Sequence, residues 1–173
     1  MIEYIPTTQA AAMLKAALRA AFPGVRFSVR KDRGTACAWL SVSYTDGPTS
    51  QTVQAIADGY TGRKFNGMTD GYDRQPDQLV HFDGEALPRA VRYLVDGVLV
   101  SRQMGPAGRA GVAAQVLRIA PDLDALDDHG NLTTAALTPE QAVELAGPTY
   151  AHGPATVKDV ARQVFYALDM TAT

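Results

Sequence analysis

The stretch that decides the fold is FPGVRFSVRKDRGTACAWLSVSYTDGP, residues 22–48. Apolar and polar residues alternate over 26–30, which is the period of a β-strand with one buried face. The turn-forming sequence KDRGT (31–35) follows, and a second alternating segment runs over 37–44. Two alternating segments joined by such a turn predict a β-hairpin.

The predicted hairpin carries different side chains on its two faces. The apolar face comprises Phe27, Val29, Leu40, Val42 and Tyr44. The polar face comprises Arg26, Ser28, Arg30, Trp39, Ser41 and Ser43. Guanidinium groups around an indole suit nucleic acid, because arginine neutralises phosphate and an indole stacks on a base. Two alternatives stay open at this stage: C-terminal helices cover this face and bury Trp39, or the face binds a protein.

Helices are predicted on both sides of the hairpin. Apolar residues at helical spacing over 10–21 predict a first helix, with Thr7 or Thr8 as its N-cap. Pro48 is suited to the first position of a second helix. Residues 65–68 resemble a short strand or turn, and a polar stretch follows over 69–78. The result is an α+β fold, a two-layer α-β-β-α-β core with helices on one sheet face. The expected core residues are Leu40, Val42, Val53, Ile56 and Tyr60.

The remaining sequence divides near residue 105. Residues 79–82 and 93–101 predict additional strands, so the α+β core is expected to span 1–105. Residues 106–173 are Ala-rich and predict a helical extension packed on that core. Within the extension, Thr138 and Thr156 are expected to start helices, Thr138 with the spacing of a capping box.

Three motifs in the first part resemble one known family. These motifs are FPGVRFSVR, LSVSYTDGP and FNGMTD, which lie between residues 22 and 70. They resemble the large polyvalent protein-associated domain family, the twenty-ninth of that series, over about residues 5–105. Tyr44 stands where Trp is common in the family, and Asn66 where Asp is common. The resemblance implies an accessory protein of a phage or other mobile element, acting early or against host defence, and supplies no catalytic residues.

Charge is distributed unevenly along the chain. Residues 1–109 contain 13 basic and 10 acidic side chains, whereas 110–173 contain 3 and 8. A second candidate surface is therefore acidic, and it comprises Asp122, Asp124, Asp127 and Asp128. Its carboxylates can take the place of phosphates in the groove of a nucleic-acid-binding partner, which gives fast, salt-sensitive association.

Catalytic and metal-binding patterns are not found. A single cysteine, Cys37, excludes internal disulfides and Cys-rich zinc sites, and the three histidines are far apart in sequence. The acidic stretch begins like a calcium loop, but Leu126 occupies the third ligand position. The glycine-rich stretch 105–111 lacks the Gly-Lys-Ser/Thr ending of a phosphate loop. We therefore expect no enzyme activity, no cofactor and no metal.

The N-terminal sequence lacks a signal-peptide pattern, and no apolar run is long enough to span a membrane. We therefore expect a cytoplasmic protein in the host cell that does not engage membranes. The leading hypothesis is a non-enzymatic inhibitor that occupies a functional surface of a host defence complex, of the anti-CRISPR or anti-restriction type. The alternative is a nucleic-acid-binding module. Its face comprises Arg26, Arg30, Lys31, Arg33 and Trp39.

Overall fold

The computed structural model describes residues 2–82, 84–151 and 153–171. The chain forms two compact units, Met1–Tyr44 with Ser50–Ser101, and Thr45–Thr49 with Arg102–Thr173. The described residues include five α-helices and ten short strands. Helices and small, mostly antiparallel sheets together confirm the predicted α+β class.

The elements follow one another along the chain, and the longest interval between them is 120–135. They are β1 (Glu3–Ile5), α1 (Thr7–Ala21), β2 (Ser28–Lys31), β3 (Trp39–Thr45), α2 (Ser50–Asp58), β4 (Arg63–Asn66), β5 (Gly71–Arg74), β6 (Gln78–Val80), β7 (Arg89–Tyr93), β8 (Gly97–Gln103), α3 (Pro106–Ile119), β9 (Ala136–Leu137), α4 (Pro139–Ala146), β10 (Ala155–Thr156) and α5 (Val157–Ala167). The predicted helix-strand-strand-helix-strand order corresponds to α1 through β4.

The predicted hairpin is formed by β2 and β3. The strands pair antiparallel, with Ser28 opposite Ser43 and Arg30 opposite Ser41. Strand β8 lies on the other side of β3, giving the order β2-β3-β8. Along β3, buried residues alternate with partly exposed ones, so one face of this sheet is covered and the other is accessible.

The core of the first unit lies between α1, α2 and the covered sheet face. Helix α1 contributes Ala10, Leu14 and Leu18, which recur every four residues and therefore share one side of the helix. Leu40, Val42 and Val53 are fully buried, as the sequence predicted. Ile56 and Tyr60 are only partly buried and pack at the edge of this cluster. Each fully buried Leu or Val contributes about 1.5–3 kcal/mol relative to its exposed state.

Three local predictions in the first unit are wrong. Helix α1 has Pro6 as its N-cap, because the hydroxyl of Thr7 donates instead to the carbonyl of Leu94, at 2.8 Å. Helix α2 begins at Ser50, two residues beyond Pro48. The segment predicted as one strand over 93–101 is two strands, β7 and β8, separated by three residues.

Three strand pairings of the first unit were not predicted. Strand β1 pairs parallel with β7, and β6 pairs antiparallel with the other side of β7. Strands β4 and β5 form a separate antiparallel hairpin, with Phe65 directly opposite Tyr72. The sequence had indicated only a short strand or turn followed by a polar stretch in this region.

The second unit is built from α3, α4 and α5 around its own core. The buried residues of that core include Val112, Val116, Val157, Val160 and Val164. Helices α4 and α5 each start with a capping box, Thr138 with Gln141 and Thr156 with Asp159. The first of these confirms the capping-box prediction, and the second confirms that Thr156 starts a helix.

A buried arginine holds together distant parts of the second unit. The guanidinium of Arg102 donates to the carbonyl oxygens of Asp46, Gly47 and Phe165, at 2.8–3.0 Å. It also lies 4.0 Å from the ring centroid of Phe165, within cation–π distance.

Among the described residues, no helix combines the length and apolarity that a bilayer crossing requires.

Candidate nucleic-acid interface

The basic side chains that the sequence singled out are exposed. Arg26, Arg30, Lys31 and Arg33 all lie on the surface, and none forms an ion pair with a residue that the structure describes. Arg63, Arg74, Arg89 and Arg92, in contrast, each contact a carboxylate. These four cations around the β2–β3 hairpin therefore outnumber its one acid, Asp32, which accepts a hydrogen bond from Ser41.

The strand register places two of these cations, Arg30 and Lys31, on opposite faces of the sheet. Arg30 is paired with Ser41, and Trp39 lies two residues before Ser41 on the same strand. Because side chains alternate along a strand, Arg30 and Trp39 share the accessible face. Lys31 is paired with the buried Leu40 and so belongs to the other side of the sheet. Among the residues of the predicted nucleic-acid-binding face, Arg30 and Trp39 therefore lie on the same side of the sheet, and Lys31 lies on the other side.

Trp39 is half-buried and packs against the start of β8. A Cβ atom added to Gly97 would lie 2.5 Å from Cζ3 of the indole, so only glycine leaves room for this ring. The residues before Trp39 and Gly97 are also joined, because the backbone amide of Asp96 donates to the carbonyl of Ala38 at 2.9 Å. The indole therefore packs closely on Gly97.

The β4–β5 hairpin brings two further aromatic rings to Trp39. The Tyr72 ring lies edge-on to the indole, with centroids 6.1 Å apart and planes at 88°. Phe65 lies next to Tyr72, with centroids 5.4 Å apart. We call Trp39, Tyr72 and Phe65 the aromatic row. Phe65 and Tyr72 remain 54% and 47% exposed, so the row presents aromatic surface to solvent.

The aromatic row borders a cavity of about 300 Å³. Its polar lining includes Gln54, Asp58, Arg63, Gln75 and Asp96. The two acids are engaged: Asp58 accepts a hydrogen bond from Gln54 at 2.7 Å, and Asp96 lies 3.5 Å from Arg63. The side-chain amide of Gln75 has no hydrogen bond with any described residue, so an amide is available beside the rings. Lys64 alternates with Phe65 along β4, so its side chain lies on the other face of the hairpin.

The aromatic row and its cavity lie within the part of the chain that a comparison identifies. Residues 5–105 match the family model described as large polyvalent protein associated domain 29. The chain belongs to this family. The family region contains β2 to β8, with the basic hairpin and the cavity. Membership associates the chain with polyvalent proteins, and so with phages and mobile elements. A search of curated proteins and a search of solved structures each returned no significant match.

Sequence reasoning found Trp39 in the family region but missed its partners. Residues 69–78 were interpreted as a polar stretch, although Tyr72 lies there and pairs with Phe65. The available signal was the pair of turn dipeptides Asn66-Gly67 and Asp70-Gly71, which lie between the two aromatic residues. Gly97 and Tyr72, which pack against the indole of Trp39, both lie within the family region.

The acidic candidate surface lies outside the family region. Asp122, Asp124, Asp127 and Asp128 are all exposed. Asp127 also holds its loop together, because its Oδ1 accepts the amide protons of His129 and Asn131 at 2.9 and 2.8 Å. These bonds, the backbone bond from Asn131 foremost, lower the pKa of the Asp127 carboxyl below its ordinary value. The side chains of the other three make no hydrogen bond within the described part of the chain.

Phosphate and metal binding find no support at the sites that the sequence raised. At the start of α3, in the glycine-rich stretch, the amides of Gly105 and Gly108 already donate to the carboxylate of Asp46. An acidic side chain therefore occupies the place that a phosphate would take. Across the described residues, no three His, Cys, Asp or Glu side chains are grouped as metal ligands. One of the histidines, His152, lies outside those residues.

Proposed function

We propose that this chain is a non-enzymatic accessory protein of a phage or mobile element, that it works in the host cytoplasm, and that its family region binds nucleic acid. The observation that carries the proposal is the placement of Arg30 and Trp39 on one accessible sheet face, among cations without ion-pair partners. Excess cations attract phosphates, and a nearby indole adds contact with the bases.

Other arginines of the same unit form ion pairs and provide a comparison for Arg26 and Arg30. Arg92 makes a two-pronged contact with Asp77, at 2.7 and 2.9 Å, and its charge is locally neutralised. Arg26 and Arg30 lack such a partner, so no ion pair has to be broken before either of them binds a phosphate. Binding through them is expected to weaken as salt rises, with a slope of roughly 0.7–0.9 in log K per log salt for each phosphate neutralised.

The test measures the affinity of the purified chain for DNA and RNA by fluorescence anisotropy at several salt concentrations. Arg26→Ala combined with Arg30→Ala is expected to weaken binding at least about tenfold and to flatten the salt dependence. The control combines Arg118→Ala with Lys158→Ala, which removes the same charge outside the family region. Equal losses in both variants, or no binding by the unaltered chain, would overturn the proposal.

A second function is favoured by the exposure of the acidic loop. In this proposal the chain inhibits a host defence complex, of the anti-CRISPR or anti-restriction type, and Asp122, Asp124, Asp127 and Asp128 occupy its nucleic-acid channel. The hydrogen bonds of Asp127 hold the loop in one conformation, which keeps the other carboxylates arranged before binding. Such mimicry accelerates association more than it slows release.

Cleavage of target DNA by a purified CRISPR or restriction complex tests this second function. The chain is expected to inhibit cleavage, and Asp124→Asn combined with Asp128→Asn is expected to slow its association with the complex. Asp127 is left unchanged because it supports the loop. Glu140→Gln with Glu144→Gln, two exposed acids on α4, removes the same charge and should inhibit normally. If the Asp124→Asn, Asp128→Asn variant associates with the complex and inhibits it as fast as the unaltered chain, the acidic loop is not the binding surface.

A further inference from the structure

We infer that the family region binds single-stranded nucleic acid and places one unpaired base in the cavity beside the aromatic row. The inference rests on the proposed nucleic-acid function and adds the form of the ligand and the position of the base. It assigns a role to Phe65, Tyr72 and Gln75, none of which belonged to the face predicted from sequence.

The rings are arranged for a planar, apolar ligand. Phe65 and Tyr72 form a cross-strand pair on one face of the β4–β5 hairpin, and both keep about half of their surface exposed. Trp39 lies beyond Tyr72 and is held in place by Gly97. Exposed aromatic surface of this extent is typical of a binding site, and bases stack on such rings whatever their identity.

One polar group of the cavity suits the edge of a base. Gln75 is half-buried, its side-chain amide has no hydrogen bond with a described residue, and that amide offers both donors and an acceptor. Gln54 is already committed to Asp58 and to the carbonyl of Val98 and is not expected to contact the base.

The size of the cavity selects an unpaired base over a duplex. A volume of about 300 Å³ accommodates one nucleotide, near the lower end of small-ligand sites at roughly 300–1,000 Å³. In a duplex the base faces are stacked on each other, and only phosphates, sugars and groove edges are exposed. A free mononucleotide would leave Arg26 and Arg30 unused, whereas a strand extends its phosphates beyond the cavity. The excess cations of the β2–β3 hairpin therefore favour a strand over a free nucleotide or an uncharged peptide.

Trp39 makes the site directly observable, since it is the only tryptophan of the chain. Its emission is followed during titration with a twelve-nucleotide single strand, a twelve-base-pair duplex and a mononucleotide. We expect saturable quenching by the single strand, with the duplex and the mononucleotide at least about tenfold weaker. Tyr72→Ala should reduce the affinity for the single strand by about tenfold. The control is Leu79→Ala, which removes an exposed apolar side chain from β6 and should bind normally.

Phe65→Leu provides a second variant, because it removes a ring but retains an apolar side chain at an exposed position. Circular dichroism verifies the fold of each variant, and weaker single-strand binding by folded Phe65→Leu supports the inference. Equal binding of single strand and duplex, with unchanged Trp39 emission and normal binding by both ring variants, would overturn the base site and leave the nucleic-acid function intact. Failure to bind any nucleic acid would overturn both. A mononucleotide that binds as tightly as the strand would overturn the choice of a strand.

Discussion

The carboxylate of Asp46 closes the N-terminus of α3 through Gly108, whose amide donates to Oδ1 at 2.9 Å. The amide of Gly105 donates to the same oxygen at 2.7 Å. The first amides of a helix have no hydrogen-bond acceptor within the helix, and this carboxylate supplies one. Its negative charge also interacts favourably with the positive end of the helix dipole. A Cβ atom on Gly108 would collide with this oxygen, which explains glycine at that position.

Removing the Asp46 cap should destabilise the second unit. Asp46 has a positive φ of 56°, which glycine adopts without strain, so Asp46→Gly removes the acceptor without adding backbone strain. We expect a loss of about 1–2 kcal/mol in the free energy of unfolding, measured with urea. Asp46→Asn keeps an acceptor oxygen and tolerates the same backbone conformation, so its loss should be smaller. Equal losses would show that the charge and not the hydrogen bonds stabilises the helix end.

Burial predicts different costs for two apolar side chains of the family region. Leu14 is fully buried, so Leu14→Ala should lower the free energy of unfolding by about 2–5 kcal/mol. Ile56, which the sequence placed in the core, is only partly buried, and Ile56→Ala should cost distinctly less. Denaturant titration of both variants provides the comparison. A larger loss for Ile56→Ala than for Leu14→Ala would contradict the position of the core.

Stability should fall in acid because three aspartates, Asp127, Asp159 and Asp169, have lowered pKa values in the folded chain. The pKa of Asp159 is lowered mainly by the side-chain hydrogen bond from Thr156, and that of Asp127 mainly by the backbone hydrogen bond from Asn131. A lowered folded pKa gives stability that is present above the unfolded value of 3.8 and is lost as the pH falls through the folded value. The window therefore lies below about pH 4.

Thermal melts between pH 7 and pH 2.5 measure this effect. In Asp127→Asn and Asp159→Asn the titrating carboxyl is absent, so each variant should lose less stability across the acid window than the unaltered chain. Glu144→Gln serves as the control, because the described residues provide no hydrogen bond to that side chain. Identical acid profiles for all four proteins would show that these hydrogen bonds do not set the pH dependence.

Gly97→Ala should displace Trp39 without removing any side chain. The new methyl group would lie where the indole ring now packs, so the ring must move away from Gly97. We expect the Trp39 emission to shift to longer wavelength as the ring becomes more exposed. Gly111→Ala is the matched control, since its Cβ would meet Leu168 Cδ1 at 3.4 Å, which is ordinary contact. Unchanged emission in Gly97→Ala would contradict the packing of the indole on β8.

Local patterns in the sequence were sufficient for the elements whose stabilising contacts are local. The alternation over 26–30 and 37–44 predicted the β2–β3 hairpin, and its antiparallel register then fixed which side chains share a face. Thr138 and Gln141 predicted the start of α4 because a capping box involves residues three positions apart. Family membership was also readable from sequence, since three motifs within one hundred residues carry it.

Tertiary structure alone decided the contacts between residues far apart in the chain. The pairing of β1 with β7, the meeting of Trp39 with Tyr72, and the capping of α3 by Asp46 join segments that no local period relates. At Thr7 a distant partner replaces a local one. Its hydroxyl suits an N-cap, yet it donates to the carbonyl of Leu94, 87 positions away. A side chain takes the partner that the folded chain brings nearest, and chain packing, which sequence periodicity does not encode, determines that partner.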